Sequence, residues 1–282
     1  MTGKTDTFAL RLTGRQRLTG AMIFRSIGLA SLGLLLLWCG HSRAAASPLQ
    51  TPSASDPETQ ARKLIDQAIE ALGGPAYLAV RDVTLTGRFY QIYHGSASAS
   101  TIFVDYFKYP DRERQELGKK RDDIVIHNGD QGWDVDFRGV HPMTPDDVQG
   151  YRQSLELSID HILRYEINSK KYRIYYEGSD MVEGINYDIL TLEDAHREAL
   201  HLLLNARTHL PEVLRYRIKD PKNGGVDHFE SWWANFQRVE GVVFPFHRIR
   251  MRNGERIGET FVNDLKFNSG LSDSLFVPSK TK

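Results

Sequence analysis

The sequence predicts a mainly β, α+β protein. Its centre is a large curled antiparallel sheet, a half-open β-barrel, with two amphipathic helices over the concave face. Three observations lead there. Residues 171–220 carry four successive runs in which apolar and polar residues alternate, joined by connections too short for crossover helices. Two segments carry instead the 3.6-residue period of a helix. About ten or eleven strand patterns are spread over the chain, and a sheet that wide curls or splits. No period of 20–50 residues recurs, so the chain is not a repeat array.

The N-terminus reads as an export signal. Six Lys or Arg and one Asp fall within residues 1–46, followed by the apolar run Ile27 to Trp38 and then Ala44-Ala45-Ala46. Cleavage is placed after Ala46, with Met22 an alternative start. The apolar run is shorter than the roughly 20 residues a spanning helix needs. An uncleaved anchor and lipidation at Cys39 are the alternatives; Trp38 before Cys39 argues against the second. The expected organisation is a signal at 1–46, a Pro/Ser/Ala-rich leader at 47–56 and one domain at 57–282. Cys39 is the only cysteine, so a chain cut after Ala46 has neither disulfide nor thiolate ligand. Residues 47–282 carry 30 Lys/Arg against 35 Asp/Glu, a net charge of −5. That balance speaks against a nucleic-acid partner.

The first helix starts at Asp56-Pro57, a good cap followed by a residue suited to the first turn. Ala61, Leu64, Ile65, Ala68, Ile69 and Leu72 make its stripe. Gly73-Gly74 ends it, and Pro75 is expected to prevent its resumption. Val83, Leu85 and Phe89 begin the strands. Residues 98–108 are apolar on both parities, with Phe103 and Phe107 on one and Ile102, Val104 and Tyr106 on the other. Such a strand is covered on both sides, or lines a cavity with one. Short strands follow at 112–117, 123–127 and 132–137. Thr144-Pro145-Asp146-Asp147 then starts a second helix with the stripe Val148, Tyr151, Leu155, Ile159 and Ile162. After the four-strand meander, strands are expected at 227–236, 242–251 and 259–267. Residues 271–280 are expected to dock through Leu275 and Phe276.

No GxSxG, HExxH or glycine-rich phosphate loop is present. His196 and His201 are five apart on a strand pattern and point to opposite faces, which makes them poor co-ligands. No catalytic residue, metal site or cofactor is expected, and the chain is not read as an enzyme. The stronger signal is aromatic: 12 Tyr, 13 Phe and 4 Trp. Any single one suits an ordinary β core. Together they suit a curved apolar face that encloses acyl chains, where ten buried methylenes contribute on the order of 8 kcal/mol gross. That approaches micromolar affinity before ordering costs. Phe89, Phe103, Phe107, Trp133, Leu155 and Ile159 are the candidate cavity lining.

The order of elements resembles the periplasmic lipoprotein-carrier superfamily, the outer-membrane lipoprotein-sorting proteins and their relatives. The resemblance rests on FVDYFKYPDRERQE, IVIHNGDQGWDVDF, the middle helix, GVVFPFHRIRMRNGER and the closing LFVPSK. It implies a half-open barrel roofed by helices and holding acyl chains, located in the periplasm. It also implies a functional arginine immediately before the Pro of the first segment. Here Tyr109 precedes Pro110, and Arg112 and Arg114 follow as candidates to take that role. The expected partners are a lipid or lipoprotein acyl chains. The alternative is a sensor of the same fold that docks an envelope protein through the sheet edge or the row Arg248, Arg250 and Arg252. Oligomeric state is not readable from the sequence.

Overall fold

The computed structural model describes residues 56–219 and 224–279. The expected signal, Met22, Cys39 and the leader up to residue 55 lie outside the described residues. Asp56 caps α1 (Pro57–Ala71), its carboxylate accepting the Thr59 N–H at 3.1 Å. Ala61, Leu64, Ile65 and Ala68 form the buried face. Gly73 has φ +121°, and a Cβ there would lie 2.5 Å from the Gly241 carbonyl oxygen. Only glycine fits that turn. Pro75 does not end helical structure as expected. It opens the short α2 (Pro75–Leu78), because the first helical position needs no N–H donor.

Five strands follow: β1 (Asp82–Tyr93), β2 (Ser96–Lys108), β3 (Arg112–Leu117), β4 (Asp123–Asn128) and β5 (Gln131–Asp136). The short β6 (Gly139–Pro142), which the sequence reading passed over, pairs with β5. After the helical segment come β7 (Arg173–Val182), β8 (Ile185–Glu193), β9 (Ala199–Asn205), β10 (Pro211–Lys219), β11 (Val226–Val239), β12 (Val242–Arg252) and β13 (Glu255–Phe267). All form one antiparallel sheet in the order β6-β5-β4-β3-β2-β1-β13-β12-β11-β10-β9-β8-β7. Every neighbour is sequential except β1 and β13, where the two ends of the domain meet.

The edges of the sheet are therefore β6 and β7, which are consecutive in the chain. The segment between them has to run from one edge of the curl to the other, and this is where the middle helices lie. The single stripe read there splits in two. Helix α3 (Pro145–Glu156) ends at Leu157, and α4 (Ile159–Arg164) restarts with Ser158 as its cap, its hydroxyl accepting the His161 N–H at 3.2 Å.

The concavity is filled unevenly. Helix α1 packs against β7, and its stripe joins one core with Leu190, Leu192, Leu202, Leu204, Leu214 and Phe229. The β7–β9 side is thus closed by side chains. The convex face carries two small cores of its own. Tyr187, Leu203 and Val213 pack with Trp232. Ile124, Ile126 and Val135 pack with Phe276 of the C-terminal 3-10 turn (Asp273–Phe276). Phe276 is fully buried, and Leu275 packs beside it. The tail is tied down by Asp82, a buried carboxylate that accepts the N–H groups of Ser269 (2.7 Å), Gly270 (3.1 Å) and Leu271 (3.4 Å).

Candidate functional site

The other half of the concavity, under α3 and α4, holds a cavity of about 390 Å³. Its walls follow from strand alternation and register. On β2, Phe103, Asp105 and Phe107 share one face. They stand opposite Leu117, Gln115 and Glu113 of β3 and Gly87, Leu85 and Val83 of β1. Glu113 stands opposite His127 on β4, and Gln115 opposite Val125. On β12 the inward face is Val242, Phe244, Phe246, Arg248 and Arg250. Gly87 marks a bulge against β13. A Cβ there would lie 2.4 Å from the Phe261 carbonyl oxygen and 2.7 Å from the Phe103 ring. The glycine lets the strands close in and lets Phe103 lie across β1.

The roof is fixed at two points. Tyr151 of α3 is stacked on His127 of β4. Arg164 of α4 is held between two rings, with its Cζ 4.1 Å from the centroid of Tyr77 and 4.5 Å from that of Tyr109. Its Nη2 donates to the Tyr77 carbonyl at 2.7 Å. Such cation–ring contacts contribute about 1–2 kcal/mol when partly desolvated. Burial, and then Asp160, push both phenols well above their ordinary range.

Polar groups interrupt the apolar lining. Gln115 donates to Glu113 Oε1 at 3.0 Å. Asp105 stands directly across from Gln115. Burial raises the pKa of both carboxyls; for Asp105 the rise is larger, and the neighbouring Glu113 charge is its second cause. Two carboxylates in one low-dielectric site cannot both ionise cheaply. On the opposite wall Arg248 is lowered to about 10, first by burial and then by the charge of Arg250. The protein around Arg248 is dense, yet its side chain is exposed, because it opens into the cavity. The row Arg248, Arg250 and Arg252 is therefore not the outer docking face that the alternation suggested. Arg248 and Arg250 line the cavity, and Arg252 pairs with Asp227 at the strand end.

Of the candidate lining residues, Phe89, Phe103 and Ile159 line this cavity. Phe107 is on the same strand face, its ring 4.8 Å from Tyr109. Leu155 is half-buried on α3, beside the lining Ser154. Trp133 is elsewhere: it pairs with Ile126, packs with the convex core around Phe276 and borders a smaller hollow beside α3. A shift of one position along β5 separates the two faces, and the sequence pattern alone does not say which is concave. Tyr109, joined to Pro110 by a cis peptide bond, does line the cavity. Arg112 and Arg114 do not take a place beside it. Arg112 pairs with Asp273 at 2.7 Å and Arg114 with Glu116 at 2.8 Å, so both serve the convex face and the tail. The site residues that sequence reasoning missed are Asp105, Glu113, His127, Tyr151 and Arg164, while Arg248 and Arg250, expected in a docking row, line the cavity instead. For Asp105 the one legible signal is a charge interrupting a strand face that is otherwise apolar; Tyr151 and Arg164 are on helices, and Glu113 shares its strand face with Gln115.

Fold and cavity together define a helix-roofed half-barrel that encloses a hollow. No family model matches the chain, and no curated protein matches it. Solved structures do. A DUF1329 family protein from Desulfovibrio piger aligns with TM-score 0.54 at 14% identity, covering 79% of this chain and 98% of that one. A LolA superfamily protein from Nitrosomonas europaea gives 0.52 at 14% identity, covering 77% and 97%. A domain named for outer membrane lipoprotein sorting, from Vibrio parahaemolyticus, gives 0.52 at 11% identity, covering 78% and 97%. The chain has the fold of the lipoprotein-sorting superfamily that its sequence resembles, at identities where the fold is what is shared.

Proposed function

We propose that this chain is an exported envelope protein that binds a lipid, or the acyl chain of a lipoprotein, in the concave cavity. It is read as a binding protein and not as an enzyme. The observation that carries the reading is the uneven filling of the concavity. Helix α1 seals one half, while the other keeps a hollow of about 390 Å³ lined by Phe89, Phe103, Trp233, Phe236, Phe244 and Phe267. A hollow of this size is within the ~300–1,000 Å³ range of small-molecule pockets. Aromatic walls supply the apolar area that acyl chains need, without a sharp motif. The names of structural neighbours from Nitrosomonas europaea and Vibrio parahaemolyticus, which refer to LolA and to lipoprotein sorting, support the same direction. An envelope location accords with the N-terminal signal pattern.

The test is lipid extraction and mass spectrometry on the protein purified from periplasm without detergent. A stoichiometric acyl species in the wild type, and its loss in a folded Phe103→Asp variant, is the expected outcome. A ligand-free protein that takes up no added fluorescent fatty acid would overturn the reading. N-terminal sequencing of the same sample is expected to begin at Ser47.

A further inference from the structure

Arg248 and Arg250 occupy successive inward positions of β12, about 7 Å apart along the strand. Their cross-strand neighbours bring no acid to that face. Arg248 is flanked by Thr260 on β13 and Trp233 on β11, and Arg250 by Gly258 and Ser231. The nearest acids of those two strands, Glu259 and Glu230, point the other way, and Asp227 on the arginines' side is taken by Arg252 at the strand end. Glu259 is bound to His247 at 2.7 Å, and Glu230 accepts the Trp232 indole N–H at 3.0 Å. Across the cavity, Asp105 and Glu113 act on Arg248 through space, while Glu113 is already hydrogen-bonded by Gln115. Among the described residues, neither guanidinium has an ion pair or hydrogen bond of its own.

Two arginines without partners on the wall of an apolar cavity are costly unless something anionic completes them. Solvent access keeps that cost bearable, and a bound anion would remove it. Further along the same inward face come Phe246, Phe244 and Val242, with Phe236 and Leu72 nearby on the cavity wall. From Arg248 to Val242 the strand runs about 20 Å. One end of the groove carries two cations without ion pairs; the other is mainly apolar, and its one cation, Arg164, is held between Tyr77 and Tyr109 and paired with Asp160.

Resting on the reading of the cavity as a lipid site, we infer that Arg248 and Arg250 form a head-group subsite for a single-chain anionic amphiphile. Its carboxylate or phosphate lies on the two guanidiniums and its tail runs toward Phe244 and Val242. Guanidinium forks suit both anions, since each offers two or more oxygens to parallel N–H donors. The subsite would give the cavity a polarity and a preference that apolar walls cannot supply, and it would fix which end of the ligand enters first.

The experiment uses the delipidated full chain and displacement of the neutral dye N-phenylnaphthylamine by dodecanoate, dodecyl phosphate and dodecanol. The wild type is expected to bind the two anions at least tenfold more tightly than the alcohol. The Arg248→Gln/Arg250→Gln double variant should lose that preference while binding the alcohol and the dye as before. Arg248→Lys/Arg250→Lys should keep part of it. Tighter binding of dodecyl phosphate would assign the subsite to a phosphate head, and tighter binding of dodecanoate to an acyl carboxylate. Equal wild-type binding of anions and alcohol, or a double variant that stays folded and loses all three alike, would overturn the subsite and leave the acyl-binding reading standing. Failure of the dye and all three ligands to bind would overturn both.

Discussion

Tyr151 lies flat on His127, ring centroids 3.5 Å apart and planes within 3° of parallel. One ring belongs to the roof helix α3 and the other to the cavity wall, so the stack latches roof to wall. His127 is 2% exposed, and its Nδ1 has no hydrogen-bond partner. Burial lowers its pKa from 6.5 to about 4.

The latch should be pH-dependent in a defined direction. The unfolded histidine takes up a proton near pH 6.5 and the folded one only near pH 4. The stack therefore contributes fully above pH 6.5 and loses its contribution as pH falls toward 4, by up to about 3 kcal/mol. Asp105 and Glu113 titrate with the opposite sign, so the comparison has to be between variants. The loss of melting temperature between pH 7 and pH 4.5 should be smaller in His127→Phe than in the wild type. Equal losses would mean the latch does not titrate.

Replacing Tyr151 with leucine should loosen the roof without unfolding the sheet. Hydrogen exchange across residues 145–164 is expected to speed up about tenfold, equivalent to about 1.4 kcal/mol of local opening. Amides of β8 to β10 should be unchanged. Uniform acceleration would mean the roof opens only with global unfolding.

Asp105 is held in a site that disfavours its charged form, through burial and then Glu113. Asp105→Asn should therefore stabilise the protein at pH 8, by on the order of 1 kcal/mol, and do less at pH 5, where the wild-type carboxyl is closer to its neutral form. Urea unfolding at the two pH values checks this. A larger gain at pH 5 would contradict the assigned direction.

Asp82→Ala removes one carboxylate from three backbone N–H groups in the tail. Buried donors left without partners cost about 1–3 kcal/mol each, and some will find water. A loss of about 3 kcal/mol is expected, or roughly 6–12 °C in melting temperature. A change below 1 °C would mean that the tail is not part of the cooperative unit.

Local order was largely legible in the sequence. Asp56 and Thr144 carry short polar side chains just before a proline and an apolar stripe, and both cap helices by accepting N–H groups of the first turn. The double apolar parity of residues 98–108 also has a plain outcome. Phe103 lines the cavity, and Tyr106 packs beneath the tail. Boundaries were less legible: Ser158 splits the middle helix because its hydroxyl competes as a cap inside a continuous apolar stripe.

By itself, the sequence determined most of the strands, the starts of α1 and α3 and the existence of two unlike faces on each strand, because these depend on residues within a turn or two of one another. Only the tertiary structure decided which face is concave. Arg248 and Arg250 follow the same alternation as a solvated surface, yet β12 turns them inward, Arg248 between Thr260 and Trp233 and Arg250 between Gly258 and Ser231. Trp133 reads as lining, yet β5 turns it toward Phe276. The pairing of β1 with β13, and the meeting of Asp105 with Glu113, likewise join positions whose relation no local period encodes. A period of two specifies that the faces differ. The curl of the whole sheet, set by bulges such as that at Gly87 and by which half α1 fills, specifies which of them encloses the cavity.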